Sequence, residues 1–271
     1  MSATFSLFPP PPELADSIQA VWLAQGRTAH RREVVLPNGV VELIVNLSDP
    51  QWVVESDLHP RRRYDRVFLA GTQRGPLLIE DEAETDLVGV RFHPGGVTSW
   101  LDVPLAELTD RIEDTSDLDL PWTTELRERL GTLTDPSARA AATFAVLHAN
   151  RKERADALRV RHVIAALKHD PQPPPIRELA ASLGITHKHL DTLFHRAVGI
   201  SPQKLRRILR FHDVVTWLQR HHAPVDWATL ALRAGFSDQS HLIREFRALS
   251  NRTPSEFLQL RTDDGWHLKA E

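Results

Sequence analysis

Two segments near the C-terminus repeat one residue pattern about 51 residues apart, and this repeat constrains the fold more than any other feature of the chain. The shared positions are Leu179-Ala180, Gly184, Leu190 and Phe194 in the first copy, and Leu230-Ala231, Gly235, Leu242 and Phe246 in the second. A small Ala permits close helix crossing, and a Gly in the turn accepts positive φ. Leu and Phe four residues apart lie on one face of a second helix. Each copy therefore predicts a helix-turn-helix, and two copies predict a protein that inserts helices into two successive major grooves.

The breakers and caps around the repeat predict its helix boundaries. Thr186 is the expected N-cap of the second helix in the first unit, and Ser237 has the same position in the second unit. The predicted helices are 159–169, 176–183, 187–198, 202–219, 227–234 and 238–249. The helix at 202–219, of about 18 residues, would span about 27 Å and could place the two units one DNA turn (~34 Å) apart.

Several motifs in this region carry a family resemblance. The most specific are Leu183-Gly184-Ile185-Thr186, Gly199-Ile200-Ser201-Pro202, Ala234-Gly235-Phe236-Ser237-Asp238-Gln239-Ser240-His241 and Arg252-Thr253-Pro254-Ser255-Glu256-Phe257. With them, residues 176–260 resemble the DNA-binding domain of the AraC/XylS family of transcription regulators. The resemblance implies a bacterial activator or repressor whose partner is promoter or operator DNA, with RNA polymerase a further candidate partner. Asn251 stands where the family usually has a helix-ending Gly, and Asn is the next best residue there.

The family pattern also implies which side chains meet DNA. The base-reading positions fall on Lys188, Asp191, Thr192, Gln239, Ser240 and Arg244. The candidate phosphate contacts are Arg196, Lys204, Arg206, Arg207, Arg247 and Arg252. An Arg or Gln can bond a base edge in a bidentate manner. Asp191 is unusual, because an acid repels phosphates unless it accepts from a cytosine amino group.

The first half of the chain has a different composition and a different periodicity. Residues 1–155 carry a net charge of −8 and the remainder +5, as expected for a regulatory domain joined to a DNA-binding one. After a short helix predicted at 13–20, the strand signals are 34–36, 40–47, 52–55, 67–69, 77–80 and 86–92. Short strands separated by turns favour an antiparallel sandwich or barrel, and the family context suggests a cupin-like barrel. The chain then turns helical, ending in a helix over 137–154 that either packs on its own domain or dimerises.

Polar residues within these apolar strands are the candidates for an effector site. Glu42, Asn46 and Arg91 need partners if they are buried, and an aromatic residue can line a cavity. The predicted lining is Trp22, Glu42, Asn46, Trp52, Arg91 and Trp100; the alternative is that Glu42 pairs with Arg91 inside the domain. Candidate metal ligands, His30, Glu42, His59 and His93, lack the spacing of a metal site, so no metal and no cofactor is expected.

The fold class expected from these observations is α+β, with a β-rich domain that carries a helical extension and an all-α DNA-binding domain. The predicted limits are 1–155 for the sensor or oligomerisation domain, 156–262 for the double helix-turn-helix, and 263–271 for a tail. No catalytic motif is present and Cys is absent, so an enzyme is not expected. The chain has no apolar span or signal peptide and is expected in the cytoplasm without a membrane partner.

The leading function is a regulator controlled by a small-molecule effector. The alternatives are a ligand-independent regulator whose first domain only forms a homodimer, and a cupin-like enzyme fused to a DNA-binding domain.

Overall fold

A computed structural model of the chain describes residues 4–27, 32–54, 61–81, 84–152, 157–169, 173–221, 224–260 and 267–269. His30 and His59, named above as metal candidates, lie outside the described residues. So does the predicted domain boundary at 155/156.

Antiparallel strands form most of the first domain. They are β1 (Thr4–Phe8), β2 (Ile18–Gly26), β3 (Arg32–Val35), β4 (Glu42–Asn46), β5 (Gln51–Val53), β6 (Arg62–Tyr64), β7 (Val67–Ala70), β8 (Leu77–Asp81), β9 (Thr85–Phe92), β10 (Ile112–Asp114) and β11 (His267–Lys269). One sheet has the order β1-β2-β9-β4-β7-β10 and the other the order β11-β3-β8-β5-β6. The predicted β-rich fold class is confirmed.

The six-stranded sheet packs on both faces. Leu43 and Val45 of β4 are almost fully buried on one face, against α1 (Trp122–Gly131) and α2 (Pro136–Ala149). Ile44, between them, points to the other face and joins a smaller core with Tyr64 and Phe68 between the two sheets. Period-two alternation within one strand therefore supplies two separate cores.

The short helix predicted at 13–20 is wrong. Residues 12–17 form turns, and β2 starts at Ile18 and runs through the sheet between β1 and β9. Its residues from Ala20 to Leu23 are buried, and such a short apolar run fits a buried helix and a buried strand equally well.

The second domain is all-α, as predicted. Its helices are α3 (Ala157–His169), α4 (Ile176–Ser182), α5 (His187–Ala197), α6 (Pro202–Arg220), α7 (Trp227–Arg233), α8 (Gln239–Ser250) and α9 (Pro254–Leu260). The six predicted helices correspond to α3 through α8, with bounds that agree to within one or two residues, whereas α9 was not predicted. Phe194, Phe211, Phe246 and Phe257 are buried in a single core that joins both helix-turn-helix units to α6.

The two domains are in direct contact. Gly39, in the turn before β4, lies so close to α6 that an added Cβ would come within 2.8 Å of Leu205 Cδ1. Leu36 of the first domain belongs to the core of the second. Residues 267–269, within the predicted tail, form β11 and pair with β3, so the end of the chain returns to the first domain.

Candidate nucleic-acid interface

The first helix-turn-helix consists of α4 and α5, joined by a turn in which Gly184 has φ 67°. The hydroxyl of Thr186 accepts a hydrogen bond from His189 N at 3.1 Å, so the expected N-cap is confirmed. Leu190 and Phe194 are fully buried, which fixes the outward face of α5. The unit therefore presents the first turns of α5 to solvent.

Two of the three predicted base-reading residues of α5 are exposed. Lys188 and Thr192 lie on the outer face, and the Thr192 hydroxyl donates to the Lys188 carbonyl at 3.0 Å. Asp191 is half-buried, and its carboxylate lies 3.9 Å from His187 Nδ1.

The second unit repeats this arrangement with α7, α8 and Gly235 at φ 77°. Ser237 was the expected cap, but the structure corrects this by one residue. The carboxylate of Asp238 accepts from His241 N at 2.7 Å and caps α8. The Ser237 hydroxyl instead contacts His241 Nδ1 at 3.0 Å. An acid at the N-cap also interacts favourably with the positive end of the helix dipole.

The base-reading candidates of α8 are all exposed. Gln239 and Ser240 occupy its first turn and Arg244 its second, on the face opposite the buried Leu242 and Phe246. The hydrogen bond from the His241 backbone holds the pKa of Asp238 below its usual value, so the cap stays ionised. The α8 start is thus fixed, and three polar side chains extend from it. Asn251 ends the helix at φ 55°, as its place in the sequence predicts.

The predicted phosphate contacts divide into three groups. Four of them, Arg196, Lys204, Arg247 and Arg252, are exposed. Arg207 forms two hydrogen bonds to Glu245 of α8, at 2.5 and 3.2 Å, and so ties α6 to the second unit. Arg206 is half-buried and lines a cavity, with its Nε atom buried and unbonded. Arg206 and Arg207 point in different directions, because neighbours on a helix are about 100° apart.

The predicted effector residues do not share one pocket wall. Glu42 lies opposite Arg91 on neighbouring strands and accepts its Nε–H at 2.6 Å, which is the internal pairing weighed as the alternative. Asn46 is fully buried and bonded to Asp49 O and to the Ser48 amide. These polar groups are thus already paired within the protein.

The three tryptophans of that prediction lie in different places. Trp22 packs on Gly89 and stacks on Phe5, with ring centres 6.0 Å apart. Trp100 is buried beside Phe92 and donates its indole N–H to Leu147 O at 2.8 Å. Trp52 lies on β5, in the other sheet, with Arg61 over its ring. As a correction, the residues Trp22, Glu42, Asn46, Trp52, Arg91 and Trp100 are placed mainly by packing and pairing inside the domain.

No sequence pattern predicts the contacts that hold the first unit to the first domain. The Thr72 hydroxyl donates to Val198 O and the Thr109 hydroxyl to Gly199 O, both at 2.8 Å. Gly199, at φ 90°, lies against the carbonyl of Leu105, which an added Cβ would meet at 2.8 Å. The Gly-Ile-Ser-Pro motif marks one side of this junction, whereas a lone Thr in a loop carries no signal of its own.

No helix among the described residues is long and apolar enough to cross a membrane. Within the same residues, no group of three or more His, Cys, Asp or Glu side chains could hold a metal ion.

Paired helix-turn-helix units joined by a rigid helix, with exposed polar side chains on both second helices, define a DNA-binding protein. Residues 179–260 match a family model of a helix-turn-helix domain, and this domain is of the AraC type. The chain therefore contains an AraC-type DNA-binding domain. Residues 6–114 match a domain of unknown function, DUF6597.

Comparisons over the whole chain are more distant. No curated protein matches the sequence. The structure of ToxT from Vibrio cholerae has 10% identity and a TM-score of 0.49, with 96% of this chain and 98% of that chain covered. A probable AraC family transcriptional regulator from Rhodopseudomonas palustris has 29% identity and a TM-score of 0.34, with 38% of this chain and 95% of that chain covered. Because both TM-scores are below 0.5, the assignment of the second domain to the AraC type rests on the match to the helix-turn-helix family model.

Proposed function

We propose that the protein binds a specific promoter or operator sequence in double-stranded DNA through both α5 and α8 and regulates transcription there, in the cytoplasm and without catalysing a reaction. The observation that carries this proposal is the exposed set Gln239, Ser240 and Arg244 on a helix whose start is fixed by the Asp238 cap. Exposed side chains on the first turns of such a helix reach base edges, while cations such as Arg196 and Lys204 contact phosphates and set the register.

A selection from random duplex DNA with the full chain tests sequence specificity. We expect enrichment of a site with two half-elements about one helical turn apart, bound with an affinity that falls steeply as salt rises. Recovery of sequences without a common element, at any salt concentration, would contradict the proposal. A fragment of residues 157–260 tests whether the second domain alone is sufficient, because it contains both units and α6.

We further propose that a small-molecule effector, bound by the first domain, controls DNA binding through the junction with the first unit. This is supported by the bonds from Thr72 and Thr109 to the chain directly after α5. A ligand that favours one arrangement of the first domain would shift the population of arrangements of α5 as well. Stabilisation of the full chain that grows with the concentration of a metabolite would support this proposal.

A second candidate is a regulator without an effector, in which the first domain forms a homodimer or contacts RNA polymerase. The pairing of Glu42 with Arg91 and the saturated hydrogen bonds of Asn46 favour it, because neither residue then requires a ligand. Light scattering separates the two candidates: a dimer unaffected by every metabolite favours the second. Metal analysis of the purified protein addresses the fused-enzyme alternative, which requires a stoichiometric metal.

A further inference from the structure

A cavity of about 340 Å³ lies inside the DNA-binding domain, between α3, α6 and α7. Its walls carry five cationic side chains and one carboxylate: Lys168, Arg206, Arg210, Arg220, Arg233 and Asp213. None of the five cations forms a salt bridge to a described residue, whereas the neighbouring Arg207 is paired with Glu245. The cavity therefore carries more positive than negative charge, and Asp213 offsets only part of it.

Three polar atoms at the same cavity are buried without a hydrogen-bond partner. They are the Nε of Arg206, the Oγ1 of Thr216 and the Nε1 of Trp217, all on lining residues. A buried donor without a partner is costly, and one explanation for such an atom in a native protein is a bound group that completes it. All three atoms can donate a hydrogen bond, so an oxygen-rich acceptor satisfies them.

Burial also makes the charged forms of two cavity side chains less favourable. It lowers the pKa of Arg210, with the nearby Arg206 charge adding to the effect, and it also lowers the pKa of Lys168. Charged groups that are poorly solvated gain more from an opposite charge than exposed ones do, because screening by water is weaker.

We propose that this cavity binds a small anion that carries phosphate or carboxylate groups, held by Arg206, Arg210 and the indole N–H of Trp217. Arginine guanidinium groups match the geometry of such oxyanions. The volume is at the lower end of the range for small-molecule sites, roughly 300–1,000 Å³. The site lies in the second domain and is separate from the first domain, to which the proposed function assigns the effector.

Its position gives the ligand a mechanical role. The helix α3 packs on α5 and α6 of the first half of the domain, and α7 is the first helix of the second unit. An anion in the cavity bridges these elements and favours one spacing of the two units over others.

Nuclear magnetic resonance of the full chain, with ¹⁵N-labelled tryptophan, tests the proposal. The Trp217→Phe variant assigns the indole resonance, and inorganic phosphate, pyrophosphate and citrate are titrated at constant ionic strength. We expect at least one of them to shift the Trp217 resonance saturably and to raise the melting temperature. Arg210→Gln should weaken the apparent affinity about tenfold or more, since it removes a charge-assisted hydrogen bond.

The matched control is Arg129→Gln, which removes one exposed charge from α1 in the first domain, outside the cavity, and should leave the titration unchanged. Arg206→Gln provides a second cavity variant in case Arg210→Gln does not fold. The absence of a saturable shift with all three anions overturns the proposal, as does an equal loss in the control, which would indicate general charge screening.

A second arm separates a free anion from a DNA phosphate, because both have the same chemistry. A short duplex without a selected site is added to the anion-loaded protein. Retention of the anion signal with DNA bound supports a small-molecule site. Displacement of the anion, with the duplex alone shifting the Trp217 resonance, would identify a backbone-phosphate contact and overturn the proposal.

Discussion

The two helix-turn-helix units share one sequence pattern but have different surroundings. The first unit is bound by the β-rich domain, since Thr72 and Thr109 bond the chain just after α5 and α5 packs on the short 3₁₀ helix at Leu105–Leu108. The second packs on α6 and α9, with Arg207 and Glu245 bridging α6 and α8. The two recognition helices can therefore respond differently to the first domain, because a conformational change in that domain acts directly on the first unit.

The largest expected effect comes from Gly199→Ala. The substitution combines a positive φ with a Cβ about 2.8 Å from the Leu105 carbonyl. We expect a loss of about 3 kcal/mol in the free energy of unfolding, from strain and overpacking. The control is Gly184→Ala, where φ is also positive but the added Cβ meets nothing within 4 Å, so a loss of about 1 kcal/mol is expected. Equal losses in urea titrations would mean that the junction is looser than described.

Acidification should destabilise the protein through His212, a residue of α6 that lies near Arg91 of the first domain. Burial, aided by the charges of Arg91 and Lys168, lowers the pKa of His212 to about 4 from the ordinary 6.5. Between these values the unfolded chain takes up a proton that the folded one does not. Stability is therefore fully present above about pH 6.5 and falls on acidification, by about 2 kcal/mol at pH 5.

The comparison of wild type with His212→Gln isolates this contribution from other titrating groups. The variant should lose less stability than the wild type between pH 7 and pH 5 in urea titrations. Parallel curves for the two proteins would show that His212 is accessible to protons in the fold.

The specificity of the second unit should depend on Arg244. Replacing it with Ala should weaken binding to the selected site by roughly 1–3 kcal/mol and relax the preference at one base pair. On the same helix, Arg247→Ala should weaken binding to all sequences about equally, because a phosphate contact carries no base preference. A competition assay with single-base variants of the site measures both. The reverse pattern would show that a different face of α8 meets the DNA.

The smallest expected effect is that of Asp191→Ala in the first unit. If Asp191 only repels phosphates, its removal should tighten binding to every sequence by a few tenths of a kcal/mol, the range of an exposed pair of charges. Loss of a cytosine preference at one position, measured in the same assay, would instead mean that the first unit reads that base through Asp191.

The sequence predicted the second domain closely because its boundaries are set by local chemistry. Turn glycines, the Ser201-Pro202 start and the Thr186 cap each act within a few residues. The cap of α8 was misplaced because Ser237 and Asp238 are both good capping residues. The base-reading positions came from the family pattern; five of the six are exposed in the structure and Asp191 is half-buried.

The first domain was harder to predict because its contacts join distant parts of the chain. Nothing near Ile18 distinguishes a buried strand from a helix. The partner of Glu42 lies 49 residues away, so a ligand and an internal pair were equally compatible with the sequence. Thr72 reaches Val198 across 126 residues, and no local pattern announces such a bond.

The last strand of the chain, β11, pairs with β3 and so returns the chain to the first domain. The DNA-binding domain follows the β-rich domain in the sequence and is joined to it a second time by β11. A domain that is attached at two points stays at a high effective concentration beside its partner, so the β11–β3 pairing opposes separation of the two domains. The strand also covers the outer edge of β3, which would otherwise be open to pairing with another chain. Fragments that end before residue 267 therefore lose this second attachment and expose the edge of β3 at the same time.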